Sequence, residues 1–436
     1  MILDGIKSIG ILGFGREGLS VYDFLLRDYS DLEIHIFDKR DVSEFSDGIV
    51  LDWQANNVVL HLGDDYLESL DDVELLVKSP GVNPRQPEIV RFLGLGGRYT
   101  TATNLFFERV SGKTIGVTGS KGKSTTSTLV FESLSDCGVE TYLVGNIGEP
   151  ILNYLEFDNP DVYFVVEMSS QQLEDFEGQV DYALFTSFFA DHMDYHGGMQ
   201  AYISAKANLF KNAKLTIYNG DDKVVLDILK SHGVIARKAQ KYGLSFDSEG
   251  CSVFLNEIKF LNTDDIALSG AHNLKNMMLV LALILELGLD ANRVQKVLQK
   301  FSGLDHRMQV VSRDPLIVND SASVTPESTC ACVQAYAEVS PRVLILSGMD
   351  RGYDYSILNS VLTTDDIVCV SRDLSEKVLE QISVCKVIQF DSLSESVSYA
   401  LGLEGFAILF SPGAPSYNEF KNFYARGEWF LDNCGA

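Results

Sequence analysis

Gly116-Val117-Thr118-Gly119-Ser120-Lys121-Gly122-Lys123-Ser124-Thr125 is the stretch whose reading decides the fold. It follows an apolar run with strand character (Thr114, Ile115, Val117) and opens a helical segment from Thr126 to Leu134. Strand, glycine turn and Lys-Ser at a helix start make a phosphate cradle. Glycines let backbone N–H groups converge on phosphate oxygens, and the helix N-terminus adds a positive dipole end. A lysine, here Lys123, reaches the terminal phosphates, and a hydroxyl, here Ser124, suits Mg²⁺. The spacing departs from the usual pattern, which places its first glycine where Val117 stands; here the glycine is Gly116. The competing reading is a glycine turn before an ordinary helix. Three glycines in this setting favour nucleotide binding over it.

Working outward, 436 residues suggest about three domains, at roughly 150 residues each. The net charge of −26, with no basic stripe or tail, argues against nucleic acid as a partner. Anionic substrates then require locally placed cations, helix ends and metal, because the global field repels them. Seven scattered cysteines without a C-x-x-C pair suit a reducing compartment. The start, Met-Ile-Leu-Asp-Gly, has no charged-then-apolar signal, and no apolar run spans a bilayer, so a soluble cytoplasmic protein is expected.

Lys7–Leu12 reads as a buried parallel strand, followed by Gly13-Phe14-Gly15-Arg16-Glu17-Gly18, an amphipathic helix to Leu26, and a strand from Glu33 to Phe37 that ends at Asp38. This is the G-x-G-x-x-G fingerprint of dinucleotide-binding folds, a weak signal alone that would suggest NAD. A strand at 73–77 runs into Lys78-Ser79-Pro80-Gly81, a carboxyl-edge loop where ligands bind in such sheets; plain turn chemistry is the alternative for Ser79. Boundaries are expected near 101 and 305–307. Further strands are expected at 162–166, 182–186, 214–218, 316–319, 342–347, 366–370 and 406–410, and helices at 200–210, 274–287, 291–300 and 326–338. The alternation predicts α/β architecture with three domains, each a largely parallel sheet with helices.

Three constellations follow the phosphate loop. Glu167 ends an apolar strand and is a Mg²⁺ ligand candidate. Asp191-His192-Met193-Asp194-Tyr195-His196 lacks the H-E-x-x-H order and runs into Gly197-Gly198, which argues against zinc and for a loop bearing one metal-binding histidine, His192. Lys206, by pattern alone, is a solvated helix lysine.

At these residues the chain resembles the Mur ligases of peptidoglycan precursor synthesis, three-domain, ATP-dependent enzymes that form amide bonds. The shifted phosphate loop is shared by them and by the related folylpolyglutamate synthetases. The matching motifs are Gly13–Ser20, Ser79-Pro80-Gly81, Gly116–Thr125, Gly145-Asn146-Ile147-Gly148, Glu167–Glu174, Asp191–Asp194, Lys206, His272-Asn273-x-x-Asn276, His306-Arg307, Asn319-Asp320-Ser321 and Ser411 through Phe423. They cover essentially the whole chain and match best the branch that adds glutamate to UDP-N-acetylmuramoyl-L-alanine.

The resemblance implies a Rossmann-like domain over 1–101 for the UDP substrate, a central P-loop domain over 102–307, and a Rossmann-like domain over 308–436 for the acceptor amino acid. Gly15, Arg16, Glu17, Asp38, Lys39, Ser79 and Asn146 would bind the UDP substrate; the family usually has Leu-Thr where Arg16-Glu17 stand. Gly119, Ser120, Lys121, Gly122, Lys123, Ser124, Thr125, Asn276, Arg307 and Asp320 would bind ATP. Ser124 and Glu167 would hold one Mg²⁺, and His192 a second, bridged by Lys206 as a carbamate. Lys123, Glu167, His192 and Lys206 would carry the chemistry. Arg351, Ser416 and Phe423 would bind glutamate. Ala322 and Val324 depart from the D-glutamate-adding form, while Ser323, Thr325-Pro326-Glu327 and Pro412-Gly413-Ala414-Pro415-Ser416 resemble a branch that adds L-glutamate, so the acceptor enantiomer stays open. A monomer is expected. A folylpolyglutamate synthetase-like ligase, a non-catalytic nucleotide-binding regulator and an NAD-dependent dehydrogenase are the competing readings.

Overall fold

The computed structural model describes residues 2–45, 47–147, 149–189, 193–247, 251–268, 271–349, 353–416 and 418–435. The chain divides into two compact units, Met1–Phe301 and Ser302–Ala436.

The first unit opens with five strands: β1 (Ser8–Leu12), β2 (Glu33–Asp38), β3 (Val59–Leu62), β4 (Leu75–Lys78) and β5 (Arg98–Thr100). They form a parallel sheet in the order β3-β2-β1-β4-β5. β1 is the centre, and its Gly10 is required by packing: a Cβ there would lie 2.6 Å from Phe37 and 2.7 Å from Leu76. The chain order reverses between β1 and β4. Ligands of open parallel sheets bind outside the carboxyl ends at such a point, and both Gly13–Gly18 and Ser79–Gly81 lie there.

The next six strands are β6 (Lys113–Thr118), β7 (Thr141–Gly145), β8 (Tyr163–Glu167), β9 (Val180–Phe185), β10 (Ala213–Tyr218) and β11 (Ala236–Lys238). They form a second parallel sheet, β11-β10-β9-β6-β8-β7, in which β6 sits between β8 and β9. Its central strands read as continuous apolar runs because helices cover both faces. The two sheets share one hydrophobic core, which includes Ile9, Ile11 and Trp53 as well as Phe106, Phe164, Val166 and Phe185.

A departure from parallel architecture follows. β12 (Leu244–Phe246), β13 (Ser252–Leu255) and β14 (Ile258–Asn262) form a small antiparallel sheet. Asn256 and Glu257 join β13 to β14 with φ of 50° and 68°, the left-handed pair of a tight hairpin turn.

The second unit holds β15 (Gln309–Arg313), β16 (Leu316–Asn319), β17 (Arg342–Ser347), β18 (Ile367–Ser371), β19 (Lys386–Phe390) and β20 (Ala407–Gly413), in the order β15-β16-β20-β17-β18-β19. All neighbours are parallel except β15, which pairs antiparallel with β16 at the edge. At the start of β17, Arg342 is buried and forks onto Asp366, with Nε 2.9 Å from Oδ1 and Nη2 2.6 Å from Oδ2. Its Nη1 donates to the carbonyls of Val333 at 2.9 Å and Tyr336 at 3.2 Å, which ties down the end of the helix Pro326–Ala335. Burial pushes the Asp366 carboxyl up, but the Arg342 and Thr363 hydrogen bonds outweigh it and hold the group below the usual carboxylate range.

Removing one member of a buried pair leaves the other charge uncompensated, at a cost of about 3–5 kcal/mol. Asp366→Asn should therefore destabilise the second unit by about that much. Each unit carries one tryptophan, Trp53 or Trp429, so urea unfolding followed by Trp429 fluorescence in a Trp53→Phe background reports it. An unchanged midpoint would show that Arg342 is satisfied without the carboxylate.

Candidate functional site

β6 delivers the phosphate turn at its carboxyl end. Gly119 has φ of +159°, and a Cβ on it would collide with Thr186 Oγ1 and lie 3.0 Å from the Ser187 backbone. Gly122, at φ +83°, is the left-handed cap of the helix Lys123–Asp136, and a Cβ there would meet Asn276 Oδ1 at 2.7 Å. The loop is braced on the neighbouring strand end. Thr186 Oγ1 donates to Lys121 O at 2.6 Å, Lys121 N to Ser187 Oγ at 3.0 Å, and Ser120 N to Ser187 O at 2.8 Å. Lys123 Nζ folds back over the loop, donating to Gly119 O at 3.0 Å and Ser120 O at 3.2 Å.

Lys206 is not a solvated helix lysine. It is 1% exposed and donates to Gly119 O at 2.8 Å. Its Nζ lies 4.8 Å from the centroid of Tyr202, one turn earlier on the helix Met199–Lys211. The Tyr202 hydroxyl is 2.9 Å from Ser120 Oγ. Glu167, at the end of β8, is also buried. Its Oε1 accepts from Asn146 Nδ2 at 2.8 Å and its Oε2 from Ser127 Oγ at 3.4 Å, while its carbonyl accepts from Asn146 N at 2.9 Å. Lys123, Asn146 and Lys206 line one cavity of about 490 Å³ together with Pro80 and Gly81 of the first sheet, Ser169–Gln171, Tyr195 and Tyr202. Arg85 bridges its flank, with Nη1 2.6 Å from Glu174 Oε1 and Nη2 donating to Tyr195 O.

In the first sheet, Ser79 Oγ donates to Gly13 O at 2.8 Å, so this serine holds the glycine turn itself. Asp38 is buried and accepts from Phe14 N at 2.7 Å. Arg40 takes the rest of Asp38, through Nε to Oδ1 and Nη2 to Oδ2, both at 2.9 Å. The neighbouring Lys39 is exposed. Gly15 faces open space, where a Cβ would meet nothing within 4 Å. Arg16 pairs with Glu149 at 3.3 Å on the surface. Glu17 keeps some exposure as a residue, but its Oε1 is shut off from solvent and has no hydrogen-bond donor among the described residues. That burial pushes its carboxyl up to about 7, against the pull of Lys78.

In the second unit, Asp320 is buried and turned inward. Its oxygens accept from Ser323 Oγ at 2.5 Å, Ser411 Oγ at 2.7 Å and Met308 N at 3.0 Å. Burial raises its carboxyl despite these bonds. Arg307 is exposed. Ser416 is buried, and Phe423 begins the helix Phe423–Asn433 with its ring 4.2 Å from that of Tyr424. His192 and Arg351 lie outside the described residues.

The structure thus brings Gly119, Lys123, Asn146, Glu167 and Lys206 into one neighbourhood and puts Asn276 against Gly122. Sequence reasoning missed Tyr202, Tyr195, Ser169–Gln171 as cavity lining, and Arg40 as the partner of Asp38. The Tyr202–Lys206 spacing of four on a helix was an available signal, since such residues face each other. For Arg40 no signal distinguished it from Lys39.

A carboxyl whose folded pKa is raised, as for Glu17 from 4.5 to about 7, stabilises the fold fully below the lower value and loses that contribution as pH rises through the upper one. Glu17→Gln should flatten the fall in thermal midpoint between pH 5 and about pH 8 and leave the variant the more stable form above about pH 7. A wild-type slope retained in the variant would assign the effect elsewhere.

Comparison with known proteins matches this geometry. Residues 117–284 match the family model of the Mur ligase middle domain. Residues 7–98 match that of the Mur ligase MurD-like N-terminal domain. A UDP-N-acetylmuramoylalanine--D-glutamate ligase of Vibrio campbellii is 31% identical over 431 residues, covering 98% of this chain and 97% of the relative. The ligase of the same name from Clostridioides difficile is 29% identical, covering 98% of both chains. Among solved structures, the UDP-N-acetylmuramate-alanine ligase MurC of Thermotoga maritima superposes with a TM-score of 0.57 at 17% identity over 98% of both chains, which shows the shared fold. With both matched domains in register with the first two sheets and a relative alike along almost its whole length, the chain belongs to the Mur ligase family.

Proposed function

We propose that the protein is an ATP-dependent, ADP-forming ligase that joins glutamate to UDP-N-acetylmuramoyl-L-alanine, a step of peptidoglycan precursor synthesis. One observation carries the reading: the phosphate-loop lysine Lys123, the buried Lys206 and the Glu167-clamped Asn146 share one cavity with Pro80–Gly81 of the UDP-type sheet. A dehydrogenase has no use for the phosphate turn, and a binding-only regulator has no use for a second, buried lysine, Lys206, beside it. Folylpolyglutamate synthetases are more distant in fold coverage; a bifunctional one from Yersinia pestis spans 76% of this chain.

The residues divide the work as follows. The turn Gly119–Thr125 cradles the triphosphate, and Lys123 exchanges its loop carbonyls for phosphate oxygens. Asn276, packed on Gly122, flanks the nucleotide, and Arg307 and Asp320 belong to the same nucleotide set. Gly15, Arg16, Glu17, Asp38, Lys39 and Ser79 frame the UDP end, and Asn146, held by Glu167, reaches the muramoyl part. Arg351, Ser416 and Phe423 receive glutamate. We assign these roles to domains at 1–101, 102–307 and 308–436.

The substrate's L-alanine carboxylate oxygen attacks the γ-phosphorus of ATP, and the bond to ADP breaks. The glutamate nitrogen then attacks the acyl carbonyl, loses a proton, and phosphate departs with its C–O bond. Activation is needed because an ionised carboxylate resists nucleophiles. Placement and charge stabilisation supply most of the acceleration in such transfers.

The site fits Mg²⁺. Among the described residues no group of three or more His, Cys, Asp or Glu could hold a metal alone. Mg²⁺ does not need one, since it keeps waters and takes phosphate oxygens with one or two protein ligands. Ser124 and Glu167 would hold one ion, and His192 with a Lys206 carbamate a second; the oxygen-rich set suits a hard cation. Bound there, Mg²⁺ supplies charge neutralisation at the transferring phosphoryl group.

Phosphate release from ATP, Mg²⁺ and UDP-N-acetylmuramoyl-L-alanine should appear with one glutamate enantiomer. The relatives' names specify D-glutamate, whereas Ala322 and Val324 depart from that form, so both enantiomers are assayed. No turnover with any amino acid would remove the proposal. Lys206→Ala should lower kcat at least about a hundredfold, the scale of losing one preorganised charge-stabilising group, and bicarbonate should not restore it. Near-normal rates would refute the role of Lys206.

A further inference from the structure

The carboxyl ends of β16, β20 and β17 carry three turns, Asn319–Ser323, Gly413–Ser416 and Ser347–Met349. Arg426, from the helix Phe423–Asn433, is fully buried beneath all three. Its Nε donates to Ser321 Oγ at 3.0 Å and its Nη2 to Ser321 O at 2.8 Å. Its Nη1 donates to Ala414 O at 2.9 Å and to Ser347 O at 3.1 Å. The turns are also bonded to one another: Met349 N donates to Pro415 O at 2.7 Å, and Gly413 N to Ser323 O at 3.0 Å. Gly348 stands at φ +130°, and a Cβ there would come within 3.1 Å of Arg426 Nη1.

Arg342 shows what a purely structural arginine looks like in this unit: buried at the opposite end of β17 and neutralised by a two-pronged carboxylate. Arg426 forms no ion pair with a described carboxylate. Three carbonyls and one hydroxyl accept its four hydrogen bonds, and none of these acceptors carries a charge. Burial lowers its guanidinium to about 10 even against the pull of Glu419 and Asp320. A buried cation is costly unless something compensates it. Among the described residues no carboxylate forks onto Arg426 as Asp366 does onto Arg342, and Arg426 lies at the strand ends, where open α/β sheets bind their ligands. Ser416 lies on one of these turns, and the carbonyl of Phe423 accepts from Ser321 Oγ at 2.8 Å.

We infer that Arg426 is the positioning residue of the acceptor subsite: it locks the three turns in one arrangement and supplies the positive potential that favours an acceptor bearing carboxylates. The inference rests on the reading that the second unit receives glutamate. A lysine cannot replace it fully, because only a planar fork reaches carbonyls on three turns at once.

The test uses the full-length protein and steady-state phosphate release, with KM measured separately for glutamate, ATP and UDP-N-acetylmuramoyl-L-alanine. Wild type comes first; no turnover with either enantiomer removes the proposed function, and this inference with it. With wild type active, Arg426→Met should raise the KM for glutamate about ten- to a hundredfold, the scale of hydrogen bonds to a charged group. Arg426→Lys should raise it less, and Ser321→Ala about threefold. The other two KM values should stay within about twofold. An unchanged KM for glutamate, or all three KM values and the thermal midpoint moving together, overturns the positioning role while leaving the ligase reading intact. If Arg426→Met does not fold, Ser321→Ala decides: a normal glutamate KM in that variant overturns the inference.

Discussion

The contact on which the first unit's chemistry depends is the one between Gly119 and its surroundings. The glycine has no side chain, so Thr186, Ser187 and Lys206 close directly on its backbone. Its carbonyl accepts from both Lys206 and Lys123. One carbonyl thereby brings two lysines from different helices to the mouth of a phosphate turn. Any other residue at 119 would push β9's end away from β6's end and separate them.

Cations are placed by this fold against an adverse background. The chain carries 61 acidic and 35 basic side chains, so an anionic substrate meets a repulsive far field. Lys78, Lys206, Arg342 and Arg426 are nevertheless almost completely buried. Arg342, at the amino end of its strand, is neutralised by Asp366. Lys206 and Arg426 sit at carboxyl ends and donate to backbone carbonyls, which orient their side chains. A few fixed cations in low-dielectric surroundings outweigh many screened carboxylates at close range.

Much of this was legible along the chain. Strands β1, β2, β6, β8, β9 and β10 announce themselves as largely apolar runs of five or six residues, because burial on both faces reduces polar alternation; the short β3, β5 and β11 do not. The glycines of the phosphate turn were legible because only glycine tolerates those backbone angles and that crowding. The small sheet β12–β14 was not. Its strands are three to five residues long, and its hairpin uses Asn256-Glu257 in place of the glycine that usually marks such a turn. The antiparallel edge strand β15 was hidden likewise, since pairing direction leaves no local mark.

By itself, the sequence determined the succession of α/β units, the phosphate turn and its lysine, and the residue types gathered for the chemistry. These follow from local rules: burial periodicity, backbone freedom at glycine, and spacing on a helix. Only the tertiary structure decided that Lys206 is buried on Gly119, that Arg40 rather than Lys39 holds Asp38, and that Asp320 turns inward to its own serines. It also decided that Arg426 lies beneath three turns whose bonded residues stand 79, 105 and 12 positions away in the chain. The reason is physical: a charged side chain's partner is chosen by which strand ends converge, and that convergence is a property of the sheet order, which no short stretch of residues encodes.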